Sequence, residues 1–447
     1  MTGAQGRGGS DWTVCVDFGT ANSKAAAAHR DERDPRAVRP LIISDTANPF
    51  LLPGLLVVDP DEKRVLLGVA AQRVAAGLPA NRETLRSFKT LLGARDLSRS
   101  IRTLLPPGID PTRQFRQRDL LVLFLAYLLR GVARAIDKDV TLGSARTGGF
   151  ALRYTRPDWN RAAAAGHNRE MAAMFRDAAA IAEDLAPNLD AGVVSIDRAL
   201  AALDAAGARG GDIQVEGAVF EAAAAAVACL ESTGPRSAGV LVLDVGAGTT
   251  DIGAIGFAGD DAWEIGEARR TVPQAGDAID VALLNLVIER SRLRGVDARA
   301  RAWRDLLVDV RTGKEHMLTS GKAAFRVGDR VVRVSAREAM GDPDVAAAFD
   351  AIEDAFLDGL QAASEAVRNA GGATLTVVAV GGGAALPAIQ SMARSGRPKG
   401  VRMRIERAAS IPDWAQTTAF GGAFAPIFPM LAVAIGGASA PSSLVSG

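Results

Sequence analysis

The sequence predicts an α/β protein of two similar lobes facing one another, and three stretches predict it. "VCVDFGTANSK", Val14–Lys24, is an apolar strand that runs into an acid, a glycine and two hydroxyls. "GVLVLDVGAGTTDIGAIGF", Gly239–Phe257, repeats that theme with more glycine, and "LTVVAVGGGAALPAIQ", Leu375–Gln390, gives it in weaker form. A strand-and-turn unit repeated in both halves of a chain implies internal duplication. With 447 residues there is chain enough for two or more packed units.

Taken in order, "MTGAQGRGGS" reads as a disordered lead-in, followed by the first strand. "AVRPLIISD" and "GLLVVDP" read as further strands, separated by the Asn48-Pro49 turn. "LGVAAQRVAAGL" and "TLRSFKTLLG" read as short helical pieces. Gln117–Lys138 is apolar on most faces of a helical projection, so it predicts a helix buried on most sides. "GGFALRYTRPDW" is a strand stopped at Pro157, and the stretch from Arg161 to Ala186 is an amphipathic helix. The segment from about Pro187 to Gly211, containing "SIDRALAALDAAGARGG", reads as an added helix and loop. The alanine runs Ala25–Ala28 and Ala222–Ala226 are good helix formers, and heavy alanine usage throughout accounts for most of them.

Composition sets limits. Of the side chains, 48% are hydrophobic, with 52 basic against 51 acidic residues. A charge balance so close to neutral gives no general reason to expect nucleic acid or an anionic membrane as partner. Cys15 and Cys229 both sit in apolar surroundings, as buried free thiols do, and cannot make a disulfide framework. His29, His167 and His316 lack the spacing of a structural zinc site. No signal segment opens the chain, and "FPMLAVAIGGASA" is too short and glycine-broken to span a bilayer, so a cytoplasmic protein is expected.

The two stronger turns each offer an aspartate at a strand end, then glycines, then hydroxyls. Glycine lets the backbone approach a phosphate with its N–H groups aimed at the oxygens. An aspartate beside phosphate makes sense when a hydrated hard cation lies between them. Asp244 and Asp251 bracket the second turn, and Asp17 opens the first.

These segments resemble the phosphate-one, phosphate-two and adenosine motifs of the actin, hexokinase and heat-shock chaperone ATPase superfamily. Among its branches the chain is most similar to the nucleotide-binding domain of the heat shock protein 70 (DnaK-type) family. "NRETLRSFKTLLG" resembles the stretch that carries the family's catalytic lysine, here Lys89. "VEGAVFEAAAAAVACL" resembles the family's Glu-Pro-Thr-Ala-Ala-Ala helix and places Glu221 at its glutamate. "RPDW", "AGDAID" and "IPDWAQTTAFGGA" resemble further segments, in the right order, over roughly residues 11–437.

The resemblance implies a two-lobed actin-like ATPase fold, with two duplicated ribonuclease-H-like lobes and a nucleotide cleft between them. Lobe I would span 11–236, with core 11–46 and 118–236, an insert at about 47–117, and completion by 411–437. Lobe II would span 237–410, with core 237–271 and 335–410 and an insert at about 272–334. Residues 1–10 would be a lead-in and 438–447 a flexible tail.

It also implies ATP or ADP with magnesium as ligands and slow hydrolysis to ADP and phosphate. Asp17 and Asp244 would hold the metal. Gly19, Thr20, Ala21, Gly246, Ala247, Gly248 and Thr249 would cradle phosphates, with Lys314, Glu315, Gly381, Gly382 and Asp413 on the nucleoside. The register around Lys314 is ambiguous by one residue. Lys89, Glu221 and Asp251 would be catalytic, the lysine on the γ-phosphate and the two acids positioning the attacking water.

Three departures accompany the likeness. Ala222 and Ala223 replace the family's proline and threonine. Ala385 stands where an arginine often stacks on the adenine, a contact that contributes about 0.5–2 kcal/mol. The sequence runs to Gly447, which would leave no room for a peptide-binding domain and lid, so peptide clamping in the usual chaperone manner is not expected.

The reading is therefore an ATPase module that signals its nucleotide state to an unidentified partner protein. Three alternatives stand beside it. One is a nucleotide-sensing scaffold with little turnover, another an actin-like filament former. The third is a small-molecule kinase, for which no sugar-kinase-like motif is present. Nothing in the pattern selects an oligomeric state.

Overall fold

The computed structural model describes residues 11–75, 77–79, 81–86, 96–157, 161–211, 213–229, 238–258, 261–416 and 424–446. The protein is mixed α/β with several sheets. The largest sheet runs, from one edge, Val445–Ser446, Gln214–Phe220, Ala151–Arg156, Trp12–Asp17, Asn22–His29 and Arg39–Pro40, with Leu52–Pro53 also on Asn22–His29. The second sheet runs Asp261–Val272, Thr250–Ala258, Gly239–Val245, Thr374–Val380 and Arg404–Arg407.

The two sheets share one plan. In each, the first strand of the chain is central, antiparallel to the strand after it and parallel to a later one on its other side. Parallel neighbours need a crossover of a dozen or more residues. In the first sheet that connection carries the helix Gln117–Lys138, and in the second the helix Pro343–Asn369. Each helix enters the same core as strands of its sheet, and Gln117–Lys138 is covered by further helices as well.

Two smaller sheets accompany the two large ones. Leu55–Asp59, Arg64–Leu67, Leu85–Arg86 and Val193–Ser195 form one. In the other, the hairpin Lys322–Val327 and Arg330–Ser335 packs with helices Gly276–Ser291 and Val296–Ser320 around its own core. Of "TLRSFKTLLG", read as helical, Leu85–Arg86 is a strand, and Ser87–Gly93 lie outside the described residues.

Helix propensity misleads at Ala25–Ala28, which lie in the strand Asn22–His29. Ala25 and Ala27 enter one core, while Ala26 and Ala28 enter another on the opposite face. Burial on both faces, with the helix Phe428–Ser439 packed on one, outweighs the small intrinsic preference of alanine for helix.

Ala222–Ala226 do lie in a helix, Glu221–Ala228, and composition alone does not explain them. This helix is buried throughout and packs along Phe428–Ser439. A Cβ placed on Gly436 would sit 1.7 Å from the Ala224 carbonyl oxygen. Only small residues allow so close an approach.

Of the segment expected as a flexible tail, the described residues 438–446 pack against the rest of the protein. Val445–Ser446 pairs with Val219 and Ala218 at the sheet edge, and Leu444 is buried. Arg153 explains part of that packing. It is 1% exposed, donates to Glu216 Oε2 at 2.8 Å and to the Ala440 carbonyl at 2.7 Å, and so closes the carboxyl end of the helix Phe428–Ser439. A guanidinium there suits both the unsatisfied carbonyls and the helix dipole.

Both cysteines are buried, and burial pushes the Cys229 thiol up to about 12 and the Cys15 thiol higher still. Among the described residues, no helix is long and apolar enough to cross a membrane.

Arg153→Met should lower unfolding free energy by about 1–3 kcal/mol, because the Ala440 carbonyl loses its donor and Glu216 keeps only the longer 3.6 Å pair with Arg30. Urea denaturation followed by circular dichroism measures this. A midpoint equal to wild type would remove Arg153 as an anchor.

Candidate functional site

A cleft opens where the carboxyl ends of three strands meet. Gly19, Thr20, Ala21 and Asn22 follow the strand Trp12–Asp17, and Gly246–Thr249 follow Gly239–Val245. Gly381, Gly382 and Gly383 follow Thr374–Val380. Ligands commonly sit outside the carboxyl ends of strands in α/β sheets, where turns are free to vary.

The turns are built against one another. A Cβ on Gly248 would meet Thr20 Oγ1 at 2.8 Å, so the first two turns touch face to face. Gly381 has φ +83° and a Cβ there would fall 2.3 Å from Asp244 Oδ1, so both conformation and space require glycine. Ala247 O accepts from Asp277 N at 2.7 Å and Gly246 O from Gly276 N at 3.1 Å, which fastens the second turn to the helix Gly276–Ser291. Pro429 O accepts from Gly381 N at 2.8 Å and ties the third turn to Phe428–Ser439.

Four acids line the cleft: Asp17, Asp244 and Glu221, all nearly buried, and the exposed Glu315. Asp17 Oδ1 accepts from the Thr155 hydroxyl at 2.9 Å and Oδ2 from Lys24 Nζ at 2.5 Å. Glu221 is the first residue of its helix, where the dipole favours a carboxylate.

Asp251 behaves otherwise. It is buried, does not line the cleft, and accepts from the hydroxyls of Thr249 at 2.8 Å and Thr271 at 2.6 Å. Its side chain braces the turn by tying Thr249 to Thr271 on the neighbouring strand. Asp413 is exposed at the start of the short helix Asp413–Gln416 and does not line the cleft. Lys89 lies outside the described residues.

On the helix Val296–Ser320, Arg311, Lys314 and Glu315 line the cleft together, as i, i+3 and i+4 positions share a face. Both residues between which the sequence left the register open, Lys314 and Glu315, thus lie at the cleft wall. Lys314 is buried, 2.7 Å from Asp280 Oδ1, and donates to the Gly276 carbonyl at 2.9 Å. Arg311 pairs with Asp277 at 2.7 Å, yet burial still pushes the Asp277 carboxyl above its usual range. Ala385 is exposed, and the neighbouring Leu386 faces the cleft with Met430 and Val433.

Sequence reading missed Lys24, Arg311 and this apolar wall. Lys24 carried a signal: in a hairpin around "FGTANS" it falls directly across from Asp17. The apolar wall carried none, since Met430 and Val433 sit in a helix that reads only as core.

The donor set bears on magnesium. Among the described residues no three His, Cys, Asp or Glu side chains cluster as a cage. Two acids at the phosphate-friendly turns do suit a cation that keeps its waters and shares ligands with a bound phosphate.

Asp251→Ala should cost about 1–3 kcal/mol of stability, because the Thr249 and Thr271 hydroxyls lose their acceptor. Thermal unfolding of the ligand-free protein reads this. Wild-type stability would return Asp251 to a chemical role. The chain matches no protein-family model, and no curated protein matches it in sequence.

Proposed function

We propose that this protein is a two-lobed ATPase module of the actin, hexokinase and heat-shock chaperone kind, nearest the DnaK-type branch. It would bind ATP with magnesium, hydrolyse it slowly and signal its nucleotide state to a partner protein. One observation carries the reading. Three glycine turns from distant parts of the sequence converge on one cleft, together with Asp17, Asp244 and Glu221. The shared plan of the two sheets supports a duplicated, ribonuclease-H-like pair of lobes.

In this reading the backbone around Gly19, Thr20 and Gly246–Thr249 binds the phosphates, and Asp17 and Asp244 hold the magnesium through its waters. The metal supplies positive charge against the phosphoryl oxygens. Charge neutralisation and positioning are the main tasks when the transition state is loose. Glu221 orients the attacking water and accepts hydrogen bonds from it. Lys89 is proposed to face the γ-phosphate. Lys314 and Glu315 border the nucleoside, whose base packs on Leu386 and Met430. Nucleotide-dependent closure of the lobes is what a partner would read.

The engagement of Asp251 by two hydroxyls favours a second reading, a sensor that binds nucleotide with little turnover. Single-turnover hydrolysis measured beside affinity separates the two. Glu221→Gln should keep ATP affinity while slowing single-turnover hydrolysis by about a hundredfold. An unchanged rate would take the water-orienting role from Glu221, and a wild type that binds but never hydrolyses would favour the sensor. Asp244→Asn should weaken binding of ATP in magnesium by about tenfold, with little change in EDTA. Isothermal titration under both conditions checks this, and equal affinity for wild type and variant in magnesium would remove the metal role.

A further inference from the structure

Lys24 and Asp17 oppose one another in the hairpin register, with Nζ 2.5 Å from Oδ2 and side chains 12% and 4% exposed. Thr155 donates to the other carboxylate oxygen. An acid engaged on both oxygens, one by an ammonium, is a poor partner for a divalent cation. Yet Lys24 also lines the cleft beside Gly19 and Thr20, where phosphate oxygens would lie. A lysine is a compact charge on a flexible stem, and it moves toward the larger negative charge within reach. A polyphosphate carries several charges where Asp17 carries one.

We propose that Lys24 is an interlock between polyphosphate and metal. With no polyphosphate bound, its ammonium neutralises Asp17 and keeps a divalent cation off that acid. When a polyphosphate enters, Lys24 turns to the phosphate oxygens and Asp17 is released to the metal's water shell. Metal alone therefore binds weakly, polyphosphate alone is still held by Lys24, and each strengthens the other by the same factor. The inference rests on the nucleotide reading of the cleft and deepens it, since it names an order of binding and the residue that imposes it.

The test uses the full chain, Lys24→Met and Lys24→Gln; the glutamine retains a donor for Asp17 in case methionine prevents folding. Manganese(II) binding without nucleotide is followed by electron paramagnetic resonance. Inorganic triphosphate and ATP binding in EDTA are followed by titration calorimetry. The folded variants should bind manganese about tenfold more tightly than wild type and lose about tenfold in triphosphate affinity in EDTA. Manganese affinity equal to wild type in a folded variant overturns the interlock, as does triphosphate affinity that does not fall. If wild type binds neither ATP nor triphosphate under any condition, the nucleotide reading fails, whereas the manganese comparison still reports whether Lys24 guards Asp17.

Discussion

The contact on which the rest of the structure depends is the close approach of two short helices, Glu221–Ala228 and Phe428–Ser439. Glu221–Ala228 packs on strands of the second sheet, and Phe428–Ser439 packs on strands of the first. Their side chains join residues from both sheets in one core, including Cys15 and Ala26 from one and Val242 and Val380 from the other. Alanine faces glycine along the joint, and Gly437 lies against Cys15 in the same way that Gly436 lies against Ala224. Any larger residue there must push the two sheets apart, and overpacking of that kind costs about 1–3 kcal/mol. The same two helices deliver Glu221 and the wall of Met430 and Val433 to the cleft. Site geometry is thus a consequence of the packing between the two sheets, and neither sheet holds the cleft alone.

Charge in the cleft follows a second constraint. Buried ionic groups are costly unless paired, so each one near the cleft arrives with a partner already in place. Asp17 has Lys24 and Thr155, Lys314 has Asp280 and the Gly276 carbonyl, and Asp251 has two threonines. A ligand entering such a site exchanges partners instead of filling vacancies. Affinity then depends on how easily each existing pair gives way, and the pairs differ. Lys24 has a flexible stem at the cleft wall, whereas Asp251 is locked between strands.

Much of this was legible in the sequence where a pattern is local. The strand-and-glycine turns, the all-round apolar helix Gln117–Lys138 and the strand stop at Pro157 each follow from neighbouring residues. The pairing of the two stronger turns was legible too, because the chain repeats itself. Ala25–Ala28 were misread because their environment, not their propensity, decides their conformation. A strand covered on both faces takes small residues on both, and no local period announces it. Arg153 was invisible for a related reason, since its partners Glu216 and Ala440 lie far away along the chain.

Asp17, Asp244 and Asp251 show where reading by spacing runs out. All three stand at strand ends beside glycine and threonine, so residue type and spacing cannot rank them. Rank comes from what faces each carboxylate across the sheet. Thr271, from the neighbouring strand Asp261–Val272, captures one oxygen of Asp251 and turns it from the cleft. Lys24, from the strand paired with its own, claims an oxygen of Asp17 but leaves the acid at the cleft wall. Cross-strand register therefore decides which side chain meets each acid, and register is a property of the paired sheet rather than of any motif within one strand.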